Sequence, residues 1–162
     1  MVKKLFILLG WIGTLIILFG TTQKPSHVYY IAGALALLST AIYYKLFFYV
    51  ALELILIAGH LAIFLRIGPY TQLFLPILLC AQLLTFYIVF GKVKIFLVLG
   101  ILGVAFLSIG LAYNNQWIFF SGSTFIAIYS YYAGHKGQHP AYIWAGLNTA
   151  LALIALSRIL IF

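Results

Sequence analysis

Apolar residues run along this chain in seven stretches, about 5–21, 28–44, 46–65, 71–90, 95–113, 117–133 and 140–160. Each is close to the length a helix needs to cross a hydrocarbon core of about 30 Å, several at the short end of that range. The breaks carry turn residues, most clearly Gln23 to Ser26, Gly68-Pro69 and Gly134 to Pro140. Such short connections make consecutive helices antiparallel neighbours. The pattern predicts an all-α polytopic membrane protein with seven transmembrane helices.

Composition sharpens this. Of 162 residues, 66% are hydrophobic and 6% charged, which fits a chain held almost wholly in the bilayer rather than a soluble domain. The net charge of +8 would suggest nucleic acid in a soluble protein. Here the cations lie near helix ends and read as anchors at the membrane interface, so lipid is the expected partner and nucleic acid is not. The first stretch reads as a helix rather than a cleaved signal. Lys3, Lys4, Lys45, Lys92, Lys94 and Lys136 fall on one side, and Lys24, Arg66 and Arg158 on the other. That bias places the N-terminus in the cytoplasm and the C-terminus outside. The single cysteine, Cys80, excludes a disulfide framework and a cysteine metal site.

The chain also echoes itself. Gly10, Gly13 and Gly20 recur as Gly100, Gly103 and Gly110, ninety residues on, and Leu5 to Leu9 align with Ile95 to Leu99. The next stretches begin with Val28-Tyr29-Tyr30 against Ile118-Phe119-Phe120 and end with Tyr43-Tyr44 against Tyr131-Tyr132. In the third pair, Tyr49 and Glu53 stand against Trp144 and Asn148, and each stretch runs on to an arginine, Arg66 or Arg158. Two directly joined three-helix units would be inverted relative to each other. One extra helix between them restores a parallel arrangement. The reading is therefore 3+1+3: a first unit over 1–67, a linker helix over 68–92 and a second unit over 93–162.

In this plan, and in the run from Leu46 through Tyr49 to Glu53 and Leu54, the chain resembles the SWEET and PnuC-type transporters of the PQ-loop superfamily. PnuC-type vitamin transporters are the nearer likeness, because the stretch from Tyr131 to Asn148 also looks like theirs. Glu53 stands where PnuC-like proteins carry Gln, and the helices that hold prolines in sugar-transporting SWEETs hold none here. The resemblance implies a facilitator in a bacterial inner membrane, moving nicotinamide riboside or another vitamin precursor that is then trapped by phosphorylation. Alternatives of the same fold are a SWEET-like sugar transporter and a non-transporting receptor or accessory subunit. A homo-oligomer is compatible with all of these.

Candidate chemistry centres on the stretch 48–66. It holds Glu53, the only acidic residue, with His60 seven residues later on the same helical face, roughly 10 Å along the axis. A carboxylate at membrane depth costs a few kcal/mol unless it faces a bundle interior or a wet cavity, so this helix is expected to line the functional cavity. Tyr49 precedes Glu53 by one turn, as Trp144 precedes Asn148. Each face offers an aromatic plate and a hydrogen-bonding group for a flat ring or sugar, within the apolar walls usual for small-molecule sites. Ser130 and Tyr131 are further candidates to reach a substrate, and His60 to exchange protons with it or with Glu53. The expected substrate position is mid-membrane between the two units, which rock about their glycines. His135 and His139 are four apart, but Gly134, Gly137 and Pro140 make that segment a loop with no third ligand nearby, so no metal is expected. There is no phosphate loop, carboxylate pair or Ser–His–Asp set. Neither enzyme activity nor a cofactor is expected.

Overall fold

A computed structural model describes residues 2–91 and 93–161. Lys92, one of the six cations counted on the N-terminal side, lies outside the described residues. Among those described there are seven α-helices: α1 (Val2–Gly20), α2 (Ser26–Tyr43), α3 (Phe47–Phe64), α4 (Pro69–Phe90), α5 (Ile95–Ala112), α6 (Gln116–His135) and α7 (Tyr142–Ile161). A 3-10 turn, His139–Ala141, leads into α7.

Local chemistry sets the boundaries. Pro69 opens α4, where a missing N–H costs nothing. Asn115 caps α6, its side-chain oxygen accepting from the N–H groups of Trp117 and Ile118 at 3.1 and 3.2 Å. Four helices end in the same way. After α2, Lys45 takes φ 55°, and the N–H of Leu46 donates back to the carbonyl of Ala41 at 2.9 Å. Arg66, Asn114 and Gly137 take the same left-handed position after α3, α5 and α6. Lys45 and Arg66 thus stand where carbonyl dipoles point outward, which favours a cation.

Six of the helical segments are long and apolar enough to cross a membrane. The chain is therefore a helical membrane protein. All seven expected helices are present, and α6 is the one that is less apolar than the other six. It has the length, at 20 residues, but carries Gln116, Ser121, Ser123, Thr124 and Ser130 among its aromatics. Its packing explains how so polar a helix sits in the fold. It contacts both α5 and α7, and Gly122, Ser123, Ser130, Ala133 and Gly134 are buried.

The chain divides into two compact units, Met1–Ile67 and Gly68–Phe162. In the first, α1 and α2 meet backbone to backbone: a Cβ built on Gly33 would lie 2.7 Å from the carbonyl oxygen of Gly13 and 2.5 Å from Cγ1 of Ile17. Small residues permit such close approach, which is how apolar helices gain contact in lipid. At the other end of the pair Phe6 and Tyr43 stack, ring centres 4.1 Å apart and planes within 9°. Helix α3 packs on α2.

The second unit contains the same devices. A Cβ on Gly122 would lie 2.9 Å from the Gly103 carbonyl oxygen and would meet the backbone of Leu107. Phe96 and Tyr132 stack with centres 4.2 Å apart and planes within 9°. Helix α7 packs on α6, and α4 packs on α5. Of α4 only Pro76 and Cys80 are buried, and Pro76 sits within an unbroken helix.

Candidate functional site

Helix α3 places the predicted residues of the first unit on its buried side. Tyr49 and Glu53 are 0% and 1% exposed, and His60 is buried as well. The neighbouring buried positions are Phe48 and Leu52. In α7 the positions ninety-five residues on, Ile143, Trp144, Leu147 and Asn148, are all buried too. Helices α3 and α7 therefore bury the same register: an apolar residue and an aromatic, then one turn later a leucine and a polar side chain.

Asn148 has a defined orientation. Its amide nitrogen donates to the backbone carbonyl of Trp144 at 3.0 Å. Only the nitrogen can donate to a carbonyl, so the other end is Oδ1, and this buried acceptor has no partner in the protein. Ser130, on α6, is 0% exposed and its hydroxyl also lacks a partner. Serines in helices commonly donate to the carbonyl four residues back, as Ser121 does here to Trp117. Ser130 does not. Gly134 packs against the ring of Tyr142, and the Tyr131 hydroxyl lies 3.4 Å from that of Thr149. This antiparallel register sets Ser130 at the level of Asn148. Two of the second unit's buried polar atoms that no protein group satisfies thus lie at one level, each needing a water or ligand partner; Gln116 Oε1 and the Ser123 hydroxyl are the others. Tyr131 stands apart from them. Its side chain is 44% exposed, one position round the helix from Ser130.

His60 has its partner on α2. Nδ1 of His27, near the start of α2, lies 3.4 Å from Nδ1 of His60. The Tyr30 ring lies against His60 with centres 5.0 Å apart. Glu53 is two turns back along the same helix, so His60 pairs across to α2 rather than along α3. The signal for His27 was present in the sequence: residues 27 and 60 are nearly equidistant from the Tyr44–Leu46 turn, so an antiparallel hairpin brings them level. The rings of His135 and Tyr142 meet nearly at right angles, centres 6.0 Å apart. Among the described residues no group of three or more His, Cys, Asp or Glu could hold a metal ion.

No family model, curated protein or solved structure matches the chain.

Proposed function

We propose that the protein is an integral membrane transporter for a small polar metabolite, built on a duplicated three-helix unit in the 3+1+3 parallel-repeat arrangement. Helices α1–α3 form one copy, α5–α7 the other, and α4 the linker. Several contacts support the duplication. The glycine contact of α1 with α2 recurs between α5 and α6, and the Phe6–Tyr43 stack recurs as Phe96–Tyr132 with almost the same geometry. The third helices bury the same register.

The observation that carries transport is the pair Glu53 and Asn148, the one carboxyl and the one amide among the buried polar side chains of the described residues, at matching positions in α3 and α7. Burying a carboxyl or an amide at membrane depth is costly, and such residues mark substrate or ion pathways. A purely structural asparagine would spend both ends of its amide on packing partners; Asn148 spends one. Tyr49 and Trp144, each one turn earlier, supply aromatic surface. In this reading Glu53 and Asn148, each within its own unit, can bond a polar group of the substrate, and the aromatic ring one turn earlier offers a flat face.

The resemblance to PnuC-type proteins makes nicotinamide riboside, other vitamin precursors and nucleosides the first candidates, with sugars next. The proposed setting is a bacterial inner membrane with the N-terminus in the cytoplasm. Thermal unfolding of the purified protein against these ligand classes tests the reading, because a ligand bound only by the folded state raises its midpoint. One class should raise it, and less so in an Asn148→Ala variant. No response to any class, with a stoichiometric protein partner copurifying instead, would favour the receptor or accessory reading.

A further inference from the structure

The second unit holds a pocket of about 250 Å³ that the transport reading does not use. It is lined by Lys94 at the start of α5, Lys136 just after α6, Tyr87 near the end of α4, Tyr129 and Tyr132 of α6, and Gln138 of the following loop. Two ammonium groups therefore share a cavity with phenol rings and a primary amide. The chain's only acidic side chain, Glu53, belongs to the first unit and is buried. Neither lysine has an acidic side chain in its own unit. Tyr132 is fixed by its stack on Phe96, and the Lys136 ammonium stands 5.8 Å from the centre of its ring. Such a contact orients the ammonium but leaves its charge uncompensated.

We propose that this pocket binds a phosphate group at the membrane surface, with Lys94 and Lys136 as its counter-charges and the Tyr87 hydroxyl and Gln138 amide as neutral donors. A phosphate presents several acceptor oxygens to a pocket rich in donors, and lysine meets it as a point charge. The phosphate comes either from an acidic lipid headgroup or from a soluble phosphate monoester. Basic pockets between transmembrane helices are suited to the former, and a lysine near an anionic surface contributes attraction that falls off with salt. The proposal does not depend on what the protein transports.

Native mass spectrometry and thermal unfolding of the detergent-purified protein test it. Phosphatidylglycerol, phosphatidylcholine, glycerol 3-phosphate and inorganic phosphate are the probes. The variants are Lys94→Gln/Lys136→Gln, Tyr87→Phe, and Lys3→Gln/Lys4→Gln as a control of equal charge change. Phosphatidylglycerol is expected to remain bound and raise the midpoint, phosphatidylcholine not. The double pocket variant should bind roughly thirtyfold more weakly, Tyr87→Phe less severely, and the control as wild type. A response to glycerol 3-phosphate or inorganic phosphate but not to lipid, lost in the same variant, assigns the site to a soluble phosphate. Equal weakening in the pocket variant and the control, or no binding of any probe, overturns the proposal.

Discussion

Nδ1 of His27 and Nδ1 of His60 face each other across α2 and α3 at 3.4 Å. A hydrogen bond there requires complementary tautomers, one nitrogen carrying hydrogen and the other accepting. The pair is peculiar to the first unit. In the register that sets Tyr43 against Tyr132 and Glu53 against Asn148, Gln116 and Ala155 stand at the matching places in the second unit, so the packing of α6 on α7 uses no such pair. Replacing His27 by Ala leaves the buried His60 nitrogen without this partner and should cost about 1–3 kcal/mol. The His27→Ala/His60→Ala double variant should lose less than the sum of the single ones. A double-mutant cycle on unfolding in detergent measures this; strict additivity would mean the two rings do not interact.

Backbone contact at the glycines predicts a sharp contrast. A Cβ at Gly122 would run into the backbone of Leu107, which cannot turn away as a flexible side chain could. Gly122→Ala should therefore destabilise by about 1–3 kcal/mol, as overpacking does. Gly68 has nothing within 4 Å of its Cβ position, and Gly68→Ala should change stability by less than about 1 kcal/mol in either direction. Melting curves of the two variants, recorded side by side, give the comparison.

The two aromatic stacks offer a test of the duplication. Phe6–Tyr43 and Phe96–Tyr132 share their separation to 0.1 Å and their tilt. Such a pair contributes about 0.5–1.5 kcal/mol beyond its buried area. Phe6→Leu and Phe96→Leu should lower stability by similar amounts. A clear effect from one and none from the other would show that the likeness is superficial.

Membrane topology tests the role of α6. If α6 crosses the bilayer with the six more apolar segments, the two ends of the chain lie on opposite sides. Reporter fusions active on only one side of the membrane should then give opposite signals at the N- and C-termini, with the N-terminal one cytoplasmic. The same signal at both ends would mean that α6 does not cross.

Much of the fold was legible because membrane helices announce themselves by length and apolarity. The glycine echo was legible too, since Gly13 and Gly103 sit at real helix contacts. What the sequence hid follows from packing. Helix α6 is the least apolar of the seven, and its buried serines and glycines lie in a helix that packs on both α5 and α7. The sequence alignment set Tyr43-Tyr44 against Tyr131-Tyr132, whereas stacking equates Tyr43 with Tyr132; matching aromatic pairs leave a one-residue slip undetected. Of the candidate site, the buried positions Tyr49, Glu53, His60, Ser130, Trp144 and Asn148 could be read from their types and spacing. The exposure of Tyr131 could not, because it depends on which face of α6 meets a neighbour. The lysine pocket was hidden for a different reason: it joins residues far apart in the chain that singly read as interface anchors.

Uptake into proteoliposomes tests the central claim most directly. Vesicles carrying the wild-type protein should accumulate a labelled nucleoside-like vitamin precursor or sugar down its gradient. Glu53→Ala and Asn148→Ala, which each remove a buried polar group, should each lower the rate at least tenfold while the protein remains folded. Tyr131→Phe, at an exposed position, should leave it within a factor of two or so. Uptake unchanged in both the Glu53 and Asn148 variants would contradict the account.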